Sequence, residues 1–206
     1  MGVIKKIGCA AALTFGITML TAVETSAAPN PNFHIYIAYG QSNMAGNGEI
    51  DPAVDQAKDP KNFLMLASYT AKASERKGST TQSIEMGEWY PAIPPMFHAF
   101  EQLSPADYFG RAMVDSLPGV TVGIIPVAIG AVSIRAFDKD QYQAYFNGDG
   151  KDIMSWGWPR DYDNNPPGRI LELAKKAKEV GVIKGVIFHQ GESDGTDDNW
   201  RKTVYK

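Results

Sequence analysis

The stretch FHIYIAYGQSNMAG, residues 33–46, decides the centre of the fold. Its first seven residues are mostly aromatic or β-branched, which is typical of a buried strand. The run breaks at Gly40, and Ser42 follows two residues later. A glycine permits a tight turn, so the serine hydroxyl can be presented at the end of the strand. The other interpretation is that Ser42 only caps a helix, which is the commoner use of serine at such places.

Further strand-like runs lie on both sides of helical patterns. VTVGIIPVAI (120–129) and VIKGVIF (182–188) predict strands, and FLMLA (63–67) predicts a shorter one. A helix is predicted after Ser104-Pro105, and another covers 170–180 and stops at Gly181. The regions 47–103 and 137–167 are rich in proline, glycine and aromatic residues and are expected to be irregular. Strands that alternate with helices predict an α/β fold with a mainly parallel sheet covered on both faces.

Unusual residues follow three of these strands. They are Gly40-Gln41-Ser42-Asn43 after the first, Gly130-Ala131 after 120–129, and His189-Gln190-Gly191-Glu192 after 182–188. Ligands of open parallel sheets bind outside the carboxyl ends of the strands. We therefore expect these three loops to lie along one edge of the sheet.

The residue types in these loops suit acyl transfer to a serine. That reaction needs N–H donors aimed at the developing oxyanion. Gly130 could offer a backbone N–H, and Gln190 a side-chain amide. Taken singly, Gly130 is more simply a turn glycine and Gln190 a solvent-facing polar residue. Together at three strand ends, they favour a nucleophilic Ser42.

Specific motifs connect the chain with a known family. GQSNMAG (40–46), PVAIGA (126–131) and FHQGESD (188–194) resemble the first three sequence blocks of the SGNH/GDSL-like hydrolases. The resemblance is to the branch of sialate O-acetylesterase and the family 6 carbohydrate acetyl esterases. GEWYPAIPPM (87–96) and LSPADYFGRAM (103–113) are similar to bacterial acetyl xylan esterases of that family. The resemblance runs from about His34 to the last residue.

The resemblance implies a fold, a reaction and a set of site residues. The fold is a three-layer α/β/α sandwich of the SGNH, flavodoxin-like type, and the substrates are O-acetyl groups on sugars. Ser42 matches the nucleophile, while its own N–H, the Gly130 N–H and the Gln190 side chain match the oxyanion hole. No metal and no organic cofactor are expected.

One part of the family pattern has no counterpart in the 206 residues. The family places its general base, a histidine with a nearby aspartate, in a block towards the C-terminal end of the domain, and the domain is therefore expected to be C-terminally incomplete. His34 opens the first strand, and the sequence does not place His98. His189 is the remaining candidate for a base, although the resemblance gives its position a supporting role. Glu192 could orient a histidine, bind substrate or be structural.

Several alternatives for the function stay open. The chain could be a catalytically impaired or inert carbohydrate-binding protein, or a lipid esterase or thioesterase on the same fold. Five aromatic residues of the second irregular region suit a neutral sugar but equally suit cover for the sheet: Tyr142, Tyr145, Phe146, Trp156 and Trp158. Asp194, Asp197 and Asp198 do not have the spacing of a calcium loop, so a solvated turn or helix cap is expected and no metal.

Charge and the N-terminal residues limit the compartment and the partners. Lys5 and Lys6 precede an uncharged stretch over 7–23 and small residues up to Ala28, which predicts a secretory signal over 1–28. A single domain over 29–206, secreted or periplasmic, is expected. The only cysteine, Cys9, belongs to the signal, so the domain has no disulfide. A net charge of −3 gives no reason to expect nucleic acid or, after cleavage, a membrane as partner. The oligomeric state is left open.

Overall fold

A five-stranded sheet forms the centre of the protein. The structure, a computed structural model, describes residues 28–51, 53–55, 61–78 and 82–205. The strands are β1 (Phe33–Gly40), β2 (Phe63–Leu66), β3 (Trp89–Pro91), β4 (Thr121–Ala128) and β5 (Val182–His189). Their order across the sheet is β3-β2-β4-β1-β5, and every neighbouring pair is parallel except β2 with β3. The four predicted strands are confirmed. The sequence does not reveal β3, because a three-residue strand that ends in proline has no detectable alternation.

Helices of two lengths connect the strands. The long ones are α2 (Pro105–Ser116) and α5 (Pro166–Val180), and the short ones are α1 (Ser42–Ala45), α3 (Tyr142–Asn147), α4 (Lys151–Trp156) and α6 (Trp200–Val204). The Ser104 hydroxyl caps α2 by accepting from the Ala106 N–H at 3.1 Å, as predicted. The Asn165 side chain caps α5 by accepting from the Gly168 N–H at 3.0 Å. Because of this cap, α5 begins four residues before the predicted apolar stripe.

The core is divided between the two faces of the sheet. On one face α2 packs over Ala38, Phe63 and Ile124. On the other face α5 places Leu173 and Ala177 in a cluster with β1 and β4 residues. The prediction of an α/β fold with helices on both faces is therefore confirmed. The region 137–167, expected to be irregular, instead folds into α3, α4 and a 3-10 helix over Trp158–Tyr162.

Two predictions lie wholly or mostly outside what the structure describes. The signal over 1–28 falls outside the described residues except for Ala28, and the boundaries of the single domain stay predictions. Within the described ranges, no helix combines the length and apolar content needed to cross a bilayer.

Candidate active site

The three predicted loops meet at one edge of the sheet. Gly40, the last residue of β1, pairs with Ala128 on one side and His189 on the other. The Ile129 N–H donates to the Gly40 carbonyl at 3.1 Å, and the Gln41 N–H donates to the His189 carbonyl at 3.1 Å. Neighbouring strands lie about 4.8 Å apart. The residues that directly follow these three strands are therefore close neighbours.

Ser42 is not a helix cap. It is the first residue of α1, whose cap position is Gln41, and no side chain caps this helix. The Ser42 carbonyl accepts from the Gly46 N–H at 3.0 Å and the Asn47 amide at 3.1 Å, which closes the turn. Its half-buried hydroxyl has no hydrogen-bond partner among the described residues. The capping interpretation is therefore wrong, and the hydroxyl is free for a ligand.

The end of β4 carries a glycine for a steric reason. A Cβ on Gly130 would lie 2.5 Å from the Trp158 ring, so only glycine fits beneath that ring. Ala131 follows with φ of 60°, which turns the chain sharply away from the strand. In the part of the chain that is described, the N–H groups of Gly130 and Ser42 donate to no protein acceptor. Two free donors thus stand at the edge where Ser42 presents its hydroxyl.

His98 and Tyr162 fix the last residue of β4. His98 Nε2 lies 2.7 Å from the Ala128 carbonyl oxygen, and its Nδ1 lies 2.7 Å from Asp161 Oδ2. A ring that donates from both nitrogens is an imidazolium, and Asp161 supplies the opposite charge. The Tyr162 hydroxyl donates to the Phe97 carbonyl at 2.8 Å and accepts from the Ala128 N–H at 3.3 Å. His98, which the sequence could not place, is therefore a buried structural residue with no nitrogen left to act as a base.

Gln190 is buried and fully bonded. Its amide nitrogen donates to the Val132 carbonyl at 2.9 Å and to Asp194 Oδ2 at 2.7 Å, and its oxygen accepts from Trp200 Nε1 at 2.9 Å. The solvent-facing interpretation is wrong. In this arrangement neither amide hydrogen is free for an oxyanion. The role of Gln190 as a donor stays a prediction, and it requires one of these bonds to be exchanged.

Asp194 connects the loops after β4 and β5. Its carboxylate accepts from the Ser133 hydroxyl at 2.5 Å and the Ile134 N–H at 2.8 Å, in addition to Gln190. The expected solvated turn is therefore wrong for Asp194, which is 7% exposed. No three metal-ligating side chains cluster within the described ranges, and the expectation of no metal stays a prediction.

Glu192 links the last strand to the Ser42 turn. Its Oε1 accepts from the Asn43 amide at 2.6 Å and lies 3.4 Å from His189 Nε2. The His189 side chain is half-exposed and faces Glu192, and no bond joins it to Ser42 among the described residues. Supporting roles for His189 and Glu192 stay predictions. His34 pairs near the opposite end of β1, as expected.

This geometry defines an α/β protein with an unpartnered serine hydroxyl beside free N–H groups at the carboxyl edge of its sheet. The model of the family described as "SASA: Carbohydrate esterase, sialic acid-specific acetylesterase" matches residues 32–206. The chain therefore belongs to this carbohydrate esterase family, and the predicted resemblance to the sialate O-acetylesterase branch is confirmed.

Solved structures share the fold at low sequence identity. The Arabidopsis thaliana protein AT4G34215 aligns with a TM-score of 0.56 and 19% identity over 85% of this chain and 66% of its own. XAC1771, a carbohydrate acetylesterase from Xanthomonas citri, gives 0.46 and 20% over 82% and 36%. NanS gives 0.49 and 14% over 85% and 63%. This chain thus spans 36% to 66% of the length of these proteins.

Proposed function

We propose that this chain is a serine esterase that removes O-acetyl groups from carbohydrates. The observation that carries the proposal is the free Ser42 hydroxyl at the sheet edge, with the unpaired N–H groups of Ser42 and Gly130 beside it among the described residues. Membership of a carbohydrate esterase family supports the same substrate class.

The reaction has two steps. The Ser42 oxygen attacks the acetyl carbonyl carbon, and the carbonyl oxygen becomes an oxyanion that the Ser42 and Gly130 N–H groups stabilise. The bond to the sugar oxygen then breaks, and that oxygen leaves with a proton. Water attacks the acetyl-serine carbonyl, the bond to Ser42 breaks, and acetate is released. One oxyanion donor is often worth about 3 kcal/mol in such reactions.

The general base is the part of the reaction that the described residues do not supply. His98 has both nitrogens bonded, His34 is distant, and His189 faces Glu192. A serine hydroxyl without a base is a weak nucleophile at neutral pH. This observation favours a second candidate function, a carbohydrate-binding protein with little or no catalysis.

The natural substrate is proposed to be acetylated xylan or a related polysaccharide, or an O-acetylated sialic acid. The domain is proposed to act outside the cytoplasm after removal of residues 1–28, since the apolar stretch over 7–23 follows two lysines. N-terminal sequencing of the exported protein tests this, and an intact Met1 would contradict it.

Hydrolysis of p-nitrophenyl acetate and of acetylated xylan by the wild type and Ser42→Ala tests the mechanism. We expect Ser42→Ala to lower kcat/KM by about 10³-fold or more, because the acyl-enzyme cannot form. Ser193→Ala is the matched control, since Ser193 is exposed in the loop after β5 and only its backbone N–H is bonded, to Gln41. Its rates should stay within about twofold of the wild type, in the range that surface substitutions usually produce.

Equal rates for the wild type and Ser42→Ala would remove the serine from any catalytic role. Saccharide binding without hydrolysis would favour the second candidate function. Faster turnover of a long-chain ester than of acetylated saccharides would indicate a lipid esterase instead.

A further inference from the structure

Three aromatic side chains form an exposed, stacked surface beside the site. We call Phe100, Trp156 and Trp158 the aromatic platform. The Trp156 and Trp158 rings are 5.0 Å apart, and Trp158 stacks on Phe100 at 5.6 Å with an interplanar angle of 27°. Trp156 is 53% exposed and Phe100 is 36% exposed. By contrast, Tyr145 and Phe146 from the same sequence region are buried against the sheet, so the two interpretations of these aromatic residues divide between them.

The platform adjoins both parts of the proposed site. The Trp158 ring covers Gly130, whose N–H is the proposed oxyanion donor. On the other side, the segment that continues from Phe100 pairs with the chain after Ser42, since the Gln102 N–H donates to the Gly46 carbonyl at 3.0 Å. A ligand group held at the Ser42 hydroxyl therefore has the platform as its neighbour.

Buried groups hold the platform in place. Phe100 stacks on the His98 ring at 5.1 Å with an angle of 13°, and His98 is fixed between Ala128 and Asp161. Trp158 begins the 3-10 helix whose last residue, Tyr162, is completely buried. The exposed rings thus stand on a rigid base, which lowers the entropic cost of binding to them.

The geometry points to the aromatic platform as a subsite for a pyranose ring of the acetylated substrate. This inference rests on the proposed function and adds where the sugar lies. One face of a pyranose carries C–H groups that can pack on an aromatic ring, while its hydroxyls project sideways. The half-exposed Asp161 carboxylate can accept from such hydroxyls, and the exposed Arg160 guanidinium, which lies against Gly157, can donate to them. Exposed aromatic patches of this kind mark binding surfaces in soluble proteins.

Binding is measured without turnover in the Ser42→Ala protein. The ligands are an acetylated xylotetraose and 9-O-acetylated sialic acid, titrated separately by calorimetry, so that a neutral and an acidic pyranose are distinguished. Adding Trp156→Ala should raise the Kd of at least one ligand about tenfold, because a stacking face is lost. Trp156→Phe retains an aromatic face and should stay within about threefold, an amount well below the 1.4 kcal/mol of a tenfold change.

Tyr205→Ala is the matched control. Tyr205 is an aromatic residue with 88% exposure that follows α6, and it should leave Kd unchanged. Circular dichroism shows whether each variant is folded, and Phe100→Ala provides a second test of the same surface. Equal Kd values for the Trp156→Ala, Phe100→Ala and Tyr205→Ala proteins would overturn the inference, as would no detectable binding of either saccharide to the Ser42→Ala protein. Hydrolysis by the wild type tests the proposed function separately.

Discussion

Asp194 shows at the scale of one residue how a buried carboxylate joins two loops. It accepts from Ser133, Ile134 and Gln190, which belong to segments on either side of β1 in the sheet. Sequence spacing predicts the position of Gln190 at the sheet edge correctly. It cannot reveal that the Gln190 amide is bonded to Asp194, because that depends on the loop after β4, about 60 residues away along the chain.

We expect Asp194→Ala to destabilise the protein by about 3 kcal/mol, because three buried donors lose their acceptor. Urea unfolding measures this change. Asp198→Ala, at an exposed position in the same loop, is the control and should change stability by less than about 0.5 kcal/mol. Equal midpoints for the two variants would mean that Asp194 does not hold the loops together.

At the scale of an element, α2 contains a strained charge pair. Asp107 is completely buried at the start of the helix and pairs with Arg111 one turn later. Burial is the main cause that raises the pKa of Asp107 to about 6, and the nearby Arg111 lowers it only in part. One carboxylate oxygen of Asp107 and the Arg111 Nε have no partner among the described residues. The ionised aspartate therefore costs free energy in the folded state.

The sign of the pH dependence follows from that raised pKa. Between about pH 4 and 6 the folded protein keeps a proton that the unfolded chain has lost, so this contribution to stability is present at low pH and disappears as the pH rises through 6. Asp107→Asn has no such proton. Relative to the wild type, it should gain about 2 kcal/mol in the free energy of unfolding between pH 4 and pH 7.5.

Urea unfolding of the wild type and Asp107→Asn at both pH values measures the difference. Asp115→Asn, at an exposed position of the same helix, is the control and should show no such trend. A gap between Asp107→Asn and the wild type that is the same at pH 4 and 7.5 would contradict the shifted pKa.

At the scale of the whole molecule, one glycine allows the three strand ends to meet. A Cβ on Gly40 would lie 1.9 Å from the His189 carbonyl oxygen, inside the β1–β5 junction. Gly185, on β5 itself, is the matched comparison, because a Cβ there would lie 3.6 Å from the Tyr36 ring in ordinary contact. The two positions separate the effect of close backbone approach from the general effect of replacing a glycine.

Gly40→Ala should lower the free energy of unfolding by more than about 3 kcal/mol, since backbone must move to admit the methyl group. Gly185→Ala should be neutral or stabilising by a few tenths of a kcal/mol, because it reduces the entropy of the unfolded chain. Thermal and urea unfolding measure both variants. A Gly40→Ala protein as stable as Gly185→Ala would show that the strands do not approach so closely.

The sequence by itself determined the alternation of strands and helices, the cap of α2, and the arrival of Ser42, Gly130 and Gln190 at one sheet edge. These features follow from local periodicity and from the rule that parallel strands share a carboxyl edge. Only the tertiary structure decided the pairing of His98 with Asp161, 63 residues away, and the bonds of Gln190. The reason is that hydrogen bonds between distant segments depend on the packed arrangement of the whole chain, which local patterns do not encode.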